Sequence, residues 1–134
     1  MKDGRTRRVE RGGGAIDFAS FRTHYQAVLI ALGGDAQGSE FSLDETSITI
    51  GRGPGVQIAL DESSMSRQHA AVEFVKDGFR VRDLGSTNGI FVNGSQVQSS
   101  ELKHGDRLEL GECGFQLVIE KRKPAPKAYV VDDS

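Results

Sequence analysis

Apolar residues alternate with polar ones in short runs along this chain, and most runs stop at glycine, asparagine or aspartate. Gln26–Leu32 is apolar and ends at Gly33-Gly34. Glu40–Leu43 and Ser47–Ile50 follow, and Ser47-Ile48-Thr49-Ile50 alternates with a period of two. Gln57–Leu60 is a further short run. Ala70–Lys76 and Phe79–Leu84 flank Asp77-Gly78, the strongest short hairpin signal in the chain. Ile90–Val92 leads into a second such turn, Asn93-Gly94, and then Gln96-Val97. Arg107–Leu110 and Phe115–Lys121 come last, with Gly111-Glu112-Cys113-Gly114 read as the turn between them. This predicts about ten short strands with closely spaced turns, the pattern of an antiparallel sandwich or barrel. No strand–helix alternation is visible, which argues against a doubly wound nucleotide-binding fold.

The flanks read differently. Residues 1–14 are charged and glycine-rich, and Pro124 and Pro126 lie among charges in the final segment. Residues 15–25 carry Phe18, Phe21 and Tyr25 at helical spacing behind a possible cap, Asp17, but the same aromatics also suit an extended lead-in. The expected organisation is an arm over 1–25, a domain over 26–121, and a tail or linker over 122–134.

Composition narrows the function. The chain has 134 residues, enough for one domain, and 17 glycines, about twice the usual ~7% share. The net charge of −2 is unevenly spread: the first 14 residues carry +3 and the last 14 carry +2, leaving −7 on the body. An acidic body argues against nucleic acid as a partner, since nucleic acid asks for a basic face. Arg52 and Arg67 are local cations on that background, which suits recognition of one specific anion. The single cysteine, Cys113, cannot form an intrachain disulfide and fits a reducing compartment. No Cys/His spacing suggests a metal, and no cofactor is expected. No apolar run approaches the ~20 residues of a membrane span, and no secretory h-region follows the basic start. The expected location is the cytoplasm, away from membranes.

Three polar clusters sit where strands end. Gly51-Arg52-Gly53-Pro54-Gly55 follows Ile48–Ile50 and projects a guanidinium whose fork matches phosphate oxygens. Ser66-Arg67-Gln68-His69 precedes Ala70–Lys76 and offers a hydroxyl and a second cation. Gly85-Ser86-Thr87-Asn88-Gly89 adds the Thr87 hydroxyl and the Asn88 amide, which can donate and accept at once. A serine and a histidine three residues apart also invite a hydrolase reading. There is no nucleophile elbow, however, and no paired carboxylates or metal set, so the chain is not expected to be an enzyme.

In this order and spacing the clusters resemble the forkhead-associated (FHA) family. The matching pieces are Gly51-Arg52, Ser66-Arg67-Gln68-His69 and Thr87-Asn88-Gly89, with Asn93-Gly94 and Leu102…Gly105-Asp106…Leu110 downstream. The resemblance covers roughly residues 26–121. It implies an all-β, antiparallel β-sandwich of about 10–11 short strands with binding loops at one end, and a phosphothreonine-containing protein or peptide as partner in Ser/Thr kinase signalling. Arg52 and Ser66 are then expected on the phosphate, Thr87 to complete that cradle, and Arg67 on phosphate or peptide backbone. Asn88 is expected on the peptide main chain, and Gly51, His69 and Gly89 to support the loops. Ile90 departs from the threonine common in relatives at that position and is expected to face the core. Two alternatives are a phospho-independent scaffold and capture of the chain's own Thr6 or Thr23 after phosphorylation. The sequence leaves the oligomeric state open.

Overall fold

The computed structural model describes residues 16–34 and 36–122. Its elements, in chain order, are α1 (Phe18–His24), β1 (Tyr25–Ala31), β2 (Glu40–Ser42), β3 (Ser47–Gly51), β4 (Ile58–Ala59), β5 (Ala70–Val75) and β6 (Gly78–Asp83). They continue with β7 (Ile90–Val92), β8 (Ser95–Val97), β9 (Ser99–Leu102), β10 (Arg107–Leu110) and β11 (Cys113–Lys121). One sheet has the order β9-β6-β5-β3-β4 and the other β2-β1-β11-β10-β7-β8. The sheets face each other as a sandwich. Period-two alternation sends one face of each strand inward, and Leu29, Ile50, Val81, Leu108, Phe115 and Leu117 are fully buried between them. Each such side chain contributes roughly 1.5–3 kcal/mol of transfer free energy.

Four features differ from the sequence expectation. The pairing β3–β4 is parallel, Ile50 opposite Ile58, while the other ladders are antiparallel. The Ser99–Leu102 strand has no apolar run to announce it: it is a polar edge strand that buries Leu102 and pairs with β6. The β5–β6 turn sits one residue early. Val75 pairs with Gly78, so Lys76-Asp77 forms the tip, and Lys76 takes a φ of 61°. Phe74 pairs with Phe79, and their rings lie 5.3 Å apart edge to face; this packing overrides the Asp-Gly turn preference. Cys113 and Gly114 belong to β11, so the turn between β10 and β11 is Gly111-Glu112 alone. By contrast, Asn93-Gly94 turns as expected, with positive φ at both residues (52° and 88°), the geometry that suits a tight hairpin.

Residues 18–24 form a helix. Asp17 caps it by accepting from the Ser20 N–H at 2.8 Å. Phe21 is 6% exposed and packs against Phe74 and Phe79, with ring centroids at 5.2 and 5.4 Å. Together with Tyr25, the first residue of β1, these residues are part of the folded body, although the sequence places them in the arm. Residues 1–14 and 123–134 lie outside the described residues.

On the outer face, Glu73 and Arg82 form an ion pair at 2.9 Å. The Arg82 hydrogen bond holds the Glu73 carboxyl below the ordinary glutamate value. A lowered value stabilises the fold above the unfolded-state pKa, and that stabilisation is lost as pH falls through the lowered value. Glu73→Gln is therefore expected to lower Tm at pH 7 by no more than about 3 °C, because the pair is partly solvated. Thermal melts at neutral pH and near pH 3 should show the difference from wild type shrinking in acid.

Candidate functional site

Strands β3 and β6 end, and β5 and β7 begin, at one end of the sandwich. Residues 52–57, 60–69 and 84–89 therefore converge there, joined by the Gly111-Glu112 turn. All eight residues expected at the site lie on these loops or at the strand ends that carry them.

The first two loops lie side by side. The Arg52 N–H donates to Ser66 O at 3.0 Å and the Gly53 N–H to Arg67 O at 3.2 Å. This approach requires Gly51: a Cβ there would fall on the Arg67 carbonyl. The Arg52 Nε–H donates to Met65 O at 3.0 Å, which fixes the plane of the guanidinium and leaves its terminal nitrogens outward. Arg67 is exposed, with its aliphatic stem against Gly53. Among the described residues neither arginine has a carboxylate partner.

His69 is fully buried and joins all three loops. Its Nδ1 accepts the Ser66 N–H at 3.1 Å. The ring proton must then sit on Nε2, which donates to Gly89 O at 2.8 Å. Its backbone adds two more ties, N–H to Ile50 O at 2.9 Å and O from the Leu84 N–H at 3.0 Å. The histidine touches the Ser66 main chain rather than its hydroxyl. That hydroxyl instead accepts the Thr87 N–H at 3.0 Å, keeping its own proton for an outside acceptor.

The third loop is held from within. Asp83 accepts the Ser86 N–H at 3.0 Å and the Ser86 hydroxyl accepts the Gly89 N–H at 2.9 Å. Gly89 has a φ of 80°, and a Cβ there would press on Gln96 Nε2. Thr87 and Asn88 are exposed at the tip. Asn88 Nδ2 donates to Ser64 O at 2.7 Å, so its Oδ1 faces solvent as an acceptor. Ile90, just beyond, is fully buried as expected.

Ser64 was not singled out in the sequence. Its carbonyl accepts from Asn88, and its hydroxyl accepts the Glu112 N–H at 2.9 Å, across 48 residues. No local signal announces a contact of that separation. The nearest hint is Gly111, whose φ is 62° and whose Cβ position the Ser64 carbonyl occupies. Gly111→Ala should cost roughly 2 kcal/mol from the left-handed φ plus the clash. It should also displace Ser64 O, the acceptor for Asn88, and, if the three clusters hold a phosphopeptide as the sequence suggests, weaken that binding several-fold. Denaturant melts and fluorescence anisotropy read the two effects separately.

Cys113 is buried beside this turn, and burial, helped by Glu62 and Glu112, pushes its thiol up to about 11. It is protonated and unreactive at neutral pH. No helix among the described residues is long and apolar enough to cross a membrane.

Residues 48–111 match the FHA domain family. The fold aligns with an FHA domain solved in a structural and functional study of phosphothreonine-dependent interactions, at a TM-score of 0.64 and 31% identity over 74% of this chain and 98% of that one. The chain belongs to the FHA family. The FHA domain of the CT664 protein from Chlamydia trachomatis aligns with the same TM-score of 0.64, at 33% identity over 69% of this chain and 96% of that one. Among curated proteins, the glycogen accumulation regulator GarA of Mycobacterium tuberculosis is 39% identical over 93 residues, 69% of this chain and 56% of its own length. The chain thus spans little more than half of that relative. The FHA assignment accounts for the β-sandwich and for the eleven strands among the described residues.

Proposed function

We propose that this chain is a phosphothreonine-dependent peptide-binding module of Ser/Thr kinase signalling, working in the cytoplasm and without catalysis of its own. Arg52, Arg67, Ser66 and Thr87 surround the phosphate, and Asn88 holds the peptide main chain through its free Oδ1. One observation carries this reading. The Ser66 hydroxyl, anchored by the Thr87 N–H, shares one end of the sandwich with a guanidinium that Met65 O has already oriented. A phosphate brings roughly −1.5 to −2 charges and three strong acceptors, so this arrangement favours it far over a hydroxyl. The non-enzymatic reading is supported by His69: it is buried, has both ring nitrogens engaged, and is not bonded to the Ser66 hydroxyl it would have to activate.

Binding to an oriented phosphothreonine peptide library, with phosphoserine and unphosphorylated versions alongside, tests the reading. Selective capture of phosphothreonine is the expected result. Equal affinity for all three would favour a phospho-independent scaffold. Self-capture through Thr23 is disfavoured. Thr23 sits in α1, where its hydroxyl donates to Ala19 O at 3.0 Å, and α1 packs at the Phe74–Phe79 end, away from the loops. Thr6 lies outside the described residues.

A further inference from the structure

The end of the sandwich opposite the three loops carries a second pair of arginines. A pocket of about 120 Å³ opens there between α1, the start of β1 and the segment that joins β2 to β3. That segment leads into β3 at Ser47, and the other end of the same strand, Gly51, carries the first polar loop. Phe21, Ala27 and Leu43 are buried and close the pocket from within. Arg22, Arg122, Gln26 and Ser42 line it from the solvent side, and all four are exposed.

Both guanidiniums are held by the main chain. Arg22 Nη1 donates to Asp44 O at 3.3 Å, and the guanidinium carbon lies over the Phe18 ring, 5.9 Å from its centre. The Arg122 Nε–H donates to Arg22 O at 2.8 Å, and the Arg122 backbone N–H to His24 O at 2.7 Å. Fixing Arg122 through Nε leaves both of its terminal nitrogens as donors. Among the described residues, the other guanidinium N–H groups of this pair have no protein acceptor, and neither arginine has a carboxylate within ion-pair distance. Asp44 also lines the pocket, so two cations stand against one acid.

Two planar forks set beside a small polar pocket suit a compact oxyanion, with the Ser42 hydroxyl and the Gln26 amide as neutral donors next to them. We propose that this pocket binds the phosphate group of a small molecule, inorganic phosphate or a small phosphate monoester, with Arg22 and Arg122 on its oxygens. The bound anion bridges α1 to the residue that follows β11 and so holds the helix against the sheets. The site stands apart from the phosphothreonine reading, because none of its residues belongs to the three loops.

The test is an NMR titration of the 15N-labelled chain with inorganic phosphate and, separately, glycerol 3-phosphate, at an ionic strength held constant with sodium chloride. The amides of Arg22, Gln26, Ser42 and Asp44 should shift and saturate at millimolar ligand, and should do so equally in Arg52→Ala. Arg22→Gln and Arg122→Gln should each raise the midpoint about 10-fold or more, and Asp44→Asn should lower it about 2-fold. The same spectra show whether each variant keeps its fold, and the two glutamine variants disturb different main-chain bonds. A lower midpoint for glycerol 3-phosphate assigns the pocket to esters, and a lower one for phosphate assigns it to the free ion. Shifts that rise linearly, or that sodium chloride alone reproduces, would reduce the effect to charge screening and overturn the site. So would an unchanged midpoint in both glutamine variants. The amides of Arg52, Ser66 and Thr87 report on the opposite end, so either site can fail without the other.

Discussion

Arg52→Ala is expected to weaken phosphothreonine-peptide binding by 100-fold or more while leaving the fold in place. Each charge-assisted hydrogen bond to a phosphate is worth about 1.5–3 kcal/mol, and a guanidinium can make two at once. The side chain is exposed, and its one internal bond, to Met65 O, contributes at most about 1 kcal/mol to stability. Arg52→Lys should recover little of the loss. Lysine keeps the charge, but it has no Nε–H with which to hold the Met65 carbonyl and no planar fork for the phosphate. Anisotropy with a labelled phosphothreonine peptide, paired with a thermal melt, separates affinity from folding. An unchanged Kd in Arg52→Ala would remove the assigned site.

His69→Ala should show the opposite balance, a large loss of stability with binding lost as a consequence. The substitution strands the Ser66 N–H and the Gly89 carbonyl, at about 1–3 kcal/mol each, and opens a cavity in a fully buried position. A total near 4 kcal/mol corresponds to a Tm lower by roughly 15 °C or more. The Ser66 and Gly89 loops would no longer be tied to each other, so affinity should fall even at temperatures where the variant is folded. A variant with wild-type Tm would show that the two ring bonds carry little, and the bracing role of His69 would have to be given up.

Where these residues sit was legible in the sequence, and for local reasons. Arg52, Ser66, His69 and Asn88 lie on short loops whose glycines are required where they stand. Gly51 lets the Arg67 carbonyl approach, and Gly89 adopts a φ that other residues avoid. What stayed hidden depends on partners far along the chain. The Ser64–Glu112 link spans 48 residues. Cys113 looked like part of a turn because only its pairing with Leu110 makes it a strand residue. Ser99–Leu102 is polar because one of its edges is free, and no periodicity marks it. Phe18 and Phe21 fitted a helix or a strand equally well until Phe74 and Phe79 supplied the surface they cover.

The ladder between β1 and β11 pairs Tyr25 with Lys121, and the Arg122 N–H continues it to His24 O at 2.7 Å. Entry to and exit from the sandwich therefore share one wall, and the nine residues of β11 separate that wall from the loops. At ~3.3 Å per residue the sandwich is a spacer on the order of 25 Å. The described chain therefore begins and ends at the end of the sandwich opposite the three loops. For the same reason, any tethered segment that is to reach those loops must first run about eight extended residues along the flank.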